Sequence, residues 1–216
     1  MGKKILIVNG HPNKESLNFA LVEAYKKGAL ESGAEIKEIN IADLQFNPNL
    51  QYGYKKRTEL EPDLLESWDK IKWAEHLVFV FPIWWGGMPA MLKGFFDRLF
   101  LPGFAFQYRE NSVWWDKLLT GKSAHIIATM DTPYWYFRLV YGNPGIQQFK
   151  RTILQFSGIN PVKVTVFSPI KNVAEDKIKR HWTVNDRLSL ASQVAKGPIA
   201  RKAVNTIIAK AEAGLH

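Results

Sequence analysis

Cysteine is absent from all 216 residues of the chain, which excludes disulfide bonds, thiolate metal sites and cysteine nucleophiles. Long hydrophobic runs are absent as well. The most apolar stretch, residues 77–92, is interrupted by prolines and glycines and is too short to span a bilayer. The apolar run Ile5–Val8, behind a basic start, is shorter than the core of a signal peptide. We therefore expect a cytoplasmic protein that does not insert into a membrane.

Two kinds of motif are also missing. No G-x-G-x-x-G sequence follows the first apolar segment, which argues against a Rossmann dinucleotide site. No histidines and carboxylates recur at metal-ligand spacing, so we expect no metal site. We expect His76, His125 and His181 to be structural or surface residues.

Basic residues exceed acidic ones and give a net charge of +9, much of it between residues 171 and 202. No nucleic-acid-binding motif accompanies this charge, so we expect a solvated basic surface that attracts anionic cofactors, and no nucleic-acid partner. The length fits one large domain better than two small ones. We predict a single domain over residues 1–216, with a basic helical C-terminal extension from about residue 171.

Five short apolar segments with helical patterns between them predict an α/β fold with a parallel sheet. The predicted strands are Ile5–Val8, Ile36–Ile41, Leu77–Phe81, His125–Met130 and Val162–Phe167. The first and third are continuously apolar, as strands covered on both faces must be, whereas polar residues in the second and fifth suit the sheet edges. These patterns predict a flavodoxin-like three-layer sandwich with strand order 2-1-3-4-5 and a ligand site between strands one and three.

Apolar spacing predicts how two helices pack on this sheet. The first helix would use Leu17, Ala20, Leu21, Ala24 and Gly28. A later helix would use Ile146, Phe149, Ile153 and Phe156. That helix has Asn143 as its predicted N-cap, Pro144 at its first position and Gly158 just past its end.

The segment His11 to Asn18 joins the first buried strand to the first helix. A helix N-terminus presents free backbone N–H groups and a partial positive charge, so it suits a phosphate group. Ser16, Asn18 and His11 would add side-chain donors. Simple N-capping by Ser16 or Asn18 explains the same residues equally well, and both interpretations stay open here.

The third strand ends in two tryptophans, Trp84 and Trp85, beside Gly86 and Gly87. Tryptophans at a strand end beside glycines form a flat apolar wall with accessible backbone N–H groups. A tricyclic flavin ring needs such a wall together with donors to its polar edge. The alternative is that the tryptophans only pack in the core.

These motifs together resemble a known family. His11 and Ser16-x-Asn18, combined with the sequence FPIWWGGMPAMLKG over residues 81–94, resemble the flavodoxin-fold NAD(P)H:quinone oxidoreductases. The segment Phe104-Ala105-Phe106-x-Tyr108 resembles the aromatic segment beside the flavin in that family. The resemblance covers roughly residues 3–168, with the motifs in matching order.

The resemblance implies roles for specific residues. The flavin phosphate or pyrophosphate would be bound by His11, Ser16, Leu17, Asn18 and Ala20. The isoalloxazine ring would be held by Pro82, Ile83, Trp84, Trp85 and Gly86. The pocket shared by nicotinamide and quinone would be lined by Trp84, Trp85, Phe106 and Tyr108. The family is typically dimeric, with this pocket at the subunit interface, so we expect a homodimer.

The sequence departs from the family after the fourth strand. Where the family has a Thr-Gly-Gly-like turn beside the flavin, this chain has Thr129, Met130, Asp131 and Thr132. We expect these four residues to bind the cofactor, with backbone donors that stabilise negative charge on the reduced flavin ring. The following loop lacks the family's histidine. Tyr136 and Tyr141 are therefore the candidate catalytic residues, with Arg138 as another substitute.

The resemblance implies a flavin-dependent enzyme, with FAD or FMN as cofactor. NAD(P)H would donate a hydride, and a quinone or similar acceptor would take it in a ping-pong reaction. One alternative is a non-catalytic flavoprotein that acts as an electron carrier or as a regulatory subunit of a transporter. A second alternative is a nucleic-acid-binding module, for which salt-dependent DNA binding without a bound chromophore would be the sign.

Overall fold

The computed structural model describes residues 2–170, so the predicted basic extension from about residue 171 and His181 lie outside the described residues. The elements follow one another as β1 (Lys4–Asn9), α1 (Leu17–Glu31), β2 (Glu35–Asn40), α2 (Pro62–Trp73), β3 (His76–Pro82), α3 (Ala90–Leu99), β4 (Phe106–Tyr108), β5 (Trp115–Lys117), β6 (Ser123–Thr129), α4 (Tyr134–Leu139), α5 (Pro144–Gln147) and β7 (Val162–Phe167). A 3-10 turn, Ile41–Asp43, follows β2, and a π-helical segment, Gln148–Gln155, continues α5. Within residues 2–170 no helix has the length and apolar character to cross a membrane.

Five parallel strands form the central sheet in the order β2-β1-β3-β6-β7. They are the five predicted strands taken in chain order, so the predicted order 2-1-3-4-5 is confirmed. The two strands with interrupted apolar patterns, β2 and β7, are the edges. Because the strands are parallel, the carboxyl ends of β1, β3 and β6 lie at one edge of the sheet, which is where ligands bind in such folds.

Both faces of the sheet are covered, which explains the continuous apolar character of β1 and β3. Leu77, Phe79 and Phe81 of β3 pack in the core cluster that includes α2, α3 and the π-helical segment. Val78 and Val80 point to the opposite face and pack in the cluster that includes α1. Since side chains alternate along a strand, a strand buried on both faces must be apolar at every position.

The π-helical segment changes the predicted packing of the later helix. Spacing of an ordinary α-helix predicted that Phe149 and Ile153 would share the buried face. Phe149 is fully buried, but the next fully buried residue is Leu154, and Ile153 is only partly buried. A π-turn closes with an i to i+5 bond, so the inward position moves one residue along the chain. Asn143 does occupy the cap position, but in a left-handed conformation and without a side-chain cap bond.

Two long connections are held against helix α3. The connection after β2 passes over α3 so closely that a Cβ on Gly94 would lie 2.3 Å from the Pro48 side chain. Arg98 of α3 is buried and donates hydrogen bonds to the Glu61 carboxylate (2.8 Å), the Glu59 carbonyl (2.7 Å) and the Asn47 carbonyl. The connection between α3 and β6 contains the antiparallel hairpin of β4 and β5.

Candidate functional site

The loop between β1 and α1 is stiffened by side chains that bond to nearby backbone groups. The Asn9 carboxamide oxygen accepts a hydrogen bond from the His11 amide at 3.1 Å, and the Asn13 oxygen accepts one from the Glu15 amide at 2.9 Å. Ser16 is the N-cap of α1, and its hydroxyl accepts a hydrogen bond from the Phe19 amide at 3.4 Å. The N-capping interpretation of Ser16 is therefore confirmed. Because the first amides of a helix have no acceptor within it, the start of α1 still offers donors to an anion.

His11 presents a donor at the same place. Its Nδ1 lies 2.9 Å from the Asn13 amide nitrogen and 3.1 Å from the Asn13 carbonyl oxygen. The amide N–H is a fixed donor, so Nδ1 acts as the acceptor and the ring proton is on Nε2. Burial lowers the pKa of His11 below its usual value, which favours this neutral form. Nε2–H is thus available to a ligand oxygen.

Other residues of the predicted phosphate site have different surroundings. Asn18 is buried, and its carboxamide oxygen accepts a hydrogen bond from the Thr129 hydroxyl at 3.0 Å, which ties α1 to the end of β6. Leu17 is exposed, and Ala20 is half-buried, with its amide bonded to the Ser16 carbonyl. Of the predicted set, Asn18 is the one fully buried member.

The tryptophans after β3 lie on a tight turn. The backbones of Trp84 and Gly87 exchange two hydrogen bonds, at 2.9 and 3.0 Å. The two residues between them both have positive φ, +50° at Trp85 and +78° at Gly86, as a type I′ turn requires. A left-handed conformation costs a non-glycine residue about 1–2 kcal/mol. The Trp85 side chain is nevertheless fully exposed to solvent, so no contact within residues 2–170 offsets that cost.

The first loop and the tryptophan turn meet across the point where the strand order reverses. The rings of His11 and Trp84 lie edge to face, with centroids 5.5 Å apart. Pro82 is buried, and the amide of Ile83 donates a hydrogen bond to the Thr129 carbonyl at 2.7 Å. The structure therefore brings together the predicted phosphate-binding loop and the predicted ring-binding turn.

The start of α5 supports the same turn from the other side. A Cβ on Gly145 would lie only 2.4 Å from the Gly86 carbonyl oxygen, so the two backbones are in direct contact. Just before it, Asn143 is buried, and its carboxamide oxygen has no hydrogen-bond partner among the described residues. In contrast, a Cβ on Gly87 would meet no atom within 4 Å. Open space beside Gly87 and a buried acceptor without a donor both fit a ligand such as a flavin ring.

The segment after β6 is fixed at its beginning and exposed further on. The Met130 amide donates to the Phe167 carbonyl at 3.0 Å, and the Thr132 carbonyl accepts a hydrogen bond from the Ser168 hydroxyl. Asp131 is exposed. The candidate catalytic residues Tyr136 and Tyr141 are also exposed, with their rings edge to face at 5.2 Å.

The remaining predicted substrate residues lie elsewhere in the chain. Phe106 is buried and packs against Phe156 and Tyr108. Phe106 and Tyr108 line a cavity of about 280 Å³ between α3, the β4–β5 hairpin and the π-helical segment. Neither Trp84 nor Trp85 lines this cavity.

Two features of this site were not found from the sequence. Asn143 was assigned only a capping role, and Gly145 was not singled out. A glycine inside a predicted helix often marks a close backbone contact, and that signal could have identified Gly145. No sequence signal marks an acceptor left without a donor, because that depends on every neighbour in space. Within the described residues, no three acidic or histidine side chains come together as metal ligands.

Known proteins share this architecture. A model of the family described as having a flavodoxin-like fold matches residues 3–186. NAD(P)H dehydrogenase (quinone) 1 of Rattus norvegicus is 32% identical over 126 residues, which cover 49% of this chain and 46% of that protein. The ribosyldihydronicotinamide dehydrogenase-like protein traD of Penicillium crustosum is 30% identical over 152 residues, covering 59% and 57%. The chain thus spans about half the length of these curated relatives.

Solved structures agree. The crystal structure of Smu.1420 from Streptococcus mutans UA159 has a TM-score of 0.72 and 34% identity, covering 94% of this chain and 99% of that one. The NAD(P)H:quinone oxidoreductase from Methanothermobacter marburgensis has a TM-score of 0.70 over 88% and 98% of the two chains; at 20% identity it shows the shared fold alone. Because the family match spans most of the chain and the strand order agrees with the predicted one, the predicted resemblance is confirmed, and this chain belongs to the flavodoxin-like fold family.

Proposed function

We propose that this protein is a flavin-dependent NAD(P)H oxidoreductase that reduces quinones or similar electron-poor aromatics in a ping-pong reaction. The observation that carries the proposal is the contact of His11 with Trp84, which joins an anion-binding helix start to an aromatic turn at the ligand edge of the sheet. The names of the curated relatives support the same activity. When bound, a flavin supplies the hydride chemistry, and the protein supplies binding, orientation and electrostatics.

The loop before α1 would hold the phosphate of FMN or the pyrophosphate of FAD. His11 Nε2–H and the free amides at the start of α1 are donors directed at an anion by a loop that local bonds already hold in place. A site that is ordered before binding loses little conformational entropy when the ligand arrives.

The turn from Trp84 to Gly87 would hold the flavin ring, together with Pro82 and Ile83. Strain at Trp85 and full exposure of its indole are both costs to the isolated chain. A planar ligand stacked on the turn would bury that surface. The role we assign to the exposed hydroxyls of Tyr136 and Tyr141 is that of donors at the ring edge.

A homodimer would complete the substrate pocket. Phe106 and Tyr108 line a cavity that neither Trp84 nor Trp85 lines, so a second chain would be needed to bring all four residues into one pocket. A partner subunit could cover the exposed apolar side chains on and just after α4, which are Trp135, Leu139, Val140 and Tyr141. Exposed apolar patches of this kind mark protein or ligand contacts.

We also propose a cytoplasmic location, which remains a prediction from the sequence.

The visible spectrum of the purified full-length protein tests the proposal. We expect yellow protein, or colourless protein that turns yellow after reconstitution with FMN or FAD. NADH or NADPH should bleach the flavin absorbance, and a quinone should restore it. Release of the flavin by denaturation distinguishes FMN from FAD. Protein that binds neither flavin would refute the proposal, and bleached flavin that quinone fails to reoxidise would leave binding intact but remove the activity.

A further inference from the structure

Asn143 is buried without using its most polar atom. The residue is 8% exposed, and the carboxamide oxygen has no hydrogen-bond partner among the described residues. Its φ of +57° is one that asparagine tolerates better than other side chains but that still favours glycine. Most buried polar atoms in proteins are paired, so an unpaired one calls for an explanation.

The unpaired oxygen belongs to the segment that touches the tryptophan turn. Pro144 and Gly145 both follow Asn143 directly. Pro144 Cγ would lie 3.5 Å from a Cβ on Gly86, and a Cβ on Gly145 would clash with the Gly86 carbonyl oxygen. Asn143 is therefore held at the border of the turn that we assign to the flavin ring. One helical turn later, the Gln147 carboxamide oxygen is also buried and unpaired.

The folded chain gains nothing from this arrangement in the absence of a ligand. A buried acceptor loses its hydrogen bonds to water, and no donor within the described residues replaces them. Glycine would adopt the same backbone conformation without burying an amide. Retaining asparagine at this position therefore makes sense if a donor from outside the chain pairs with its oxygen.

The exposed polar side chains that precede Asn143 are less suited to the role. Tyr136 and Tyr141 are exposed and contact each other edge to face. Asp131 is exposed as well, so its side chain is hydrated before any ligand arrives. A desolvated acceptor gains more from a hydrogen bond than a hydrated one does, because it gives up no water.

We infer that Asn143 is a cofactor-binding residue, whose carboxamide oxygen accepts a hydrogen bond from a ring N–H of the flavin. This inference rests on the proposed function, since it requires a flavin on the Trp84–Gly87 turn.

The test uses the full-length apoprotein and the substitution Asn143→Gly, which removes the carboxamide but keeps the left-handed backbone. Affinity is measured by fluorescence titration with FMN and with FAD. Loss of one hydrogen bond to a buried acceptor predicts a roughly three- to tenfold weaker affinity. Asn111→Gly is the matched control, because Asn111 has a φ of +52° and is exposed in the β4–β5 hairpin.

Thermal unfolding of the apoproteins separates a ligand role from a structural one. Asn143→Gly should unfold at the same temperature as Asn111→Gly or higher, because the lost oxygen has no hydrogen-bond partner within residues 2–170. Unchanged flavin affinity in Asn143→Gly, or a melting temperature well below that of the control, would overturn the inference. Wild-type protein that binds neither flavin would instead refute the proposed function.

Discussion

Acidification tests the packing of α1 on the sheet, because His125 is buried and His76 is half-buried beneath this helix. His76 Nδ1 is 2.8 Å from the Ser123 hydroxyl, and its Nε2 is 3.4 Å from the Tyr25 hydroxyl. His125 is fully buried, with Nε2 2.9 Å from the Thr165 hydroxyl and Nδ1 unpaired. Among the described residues, neither ring is paired with a carboxylate. Protonation would therefore place charge in the core without a counterion.

The pKa values express this cost. Burial, with Lys3 and Lys163 nearby, lowers the pKa of His76 to about 4. Burial, followed by the proximity of His76 and Lys163, lowers the pKa of His125 to about 3. The unfolded chain binds these protons with a pKa of about 6.5. The contribution of the two neutral imidazoles to the free energy of unfolding is therefore fully present above pH 6.5. It is lost as the pH falls from 6.5 towards 4.

The magnitude follows from the difference between the folded and unfolded values. At pH 5 each imidazole is almost neutral in the folded state and almost fully protonated in the unfolded state. The unfolded state gains about 1.4 kcal/mol for each pH unit below its pKa, which is roughly 2 kcal/mol per histidine. Between pH 8 and pH 5 we expect the free energy of unfolding to fall by about 4 kcal/mol. The pKa of Glu61 is also lowered, but an unfolded carboxyl group takes up its proton mostly below pH 5. His11, whose pKa burial also lowers, adds a loss of the same sign between pH 8 and pH 5 in both wild type and the variant described next.

Urea denaturation at pH 8 and pH 5 measures this difference. The matched variant is the double substitution His76→Asn and His125→Asn, which removes both titrating groups while keeping polar side chains. It should be less stable than wild type at pH 8 but lose much less stability at pH 5. Equal losses in the two proteins would refute the argument that these histidines control acid stability.

Two further predictions concern the contacts around the candidate site. Gly145→Ala should lower the free energy of unfolding by about 1–3 kcal/mol in urea denaturation, because its Cβ would overlap the Gly86 backbone. Gly87→Ala should change the free energy of unfolding by less than about 0.5 kcal/mol, because its Cβ would meet no atom. Equal effects of the two substitutions would contradict the contact between Gly145 and Gly86. Asn18→Ala should lower the free energy of unfolding by about 1–3 kcal/mol, because it leaves the Thr129 hydroxyl buried without its partner. Ser16→Ala should lower it by about 1 kcal/mol, because α1 loses its N-cap. A greater loss for Ser16→Ala in the same assay would contradict this order.

The sheet was predictable because its signal is local. The order of apolar and polar residues along a strand indicates whether one or both of its faces are covered. The continuously apolar β1 and β3 could therefore be placed inside the sheet, and the interrupted β2 and β7 at its edges. The motif beginning at His11 and the tryptophans after β3 could be assigned to one site by the same logic. In a parallel sheet, the carboxyl ends of neighbouring strands must share an edge.

Only the tertiary structure decided which of the candidate residues meet. In the folded chain Asn18 accepts a hydrogen bond from Thr129, and Phe106 and Tyr108 line a cavity that Trp84 and Trp85 do not line. The Asn143 side-chain oxygen has no hydrogen-bond partner among the described residues. The tertiary structure also shifts the buried position from Ile153 to Leu154 through a π-turn. Each of these outcomes depends on groups that are distant in sequence or on the packing around a helix. The pattern of a single segment determines its own burial, but it does not determine which partners the fold brings to it.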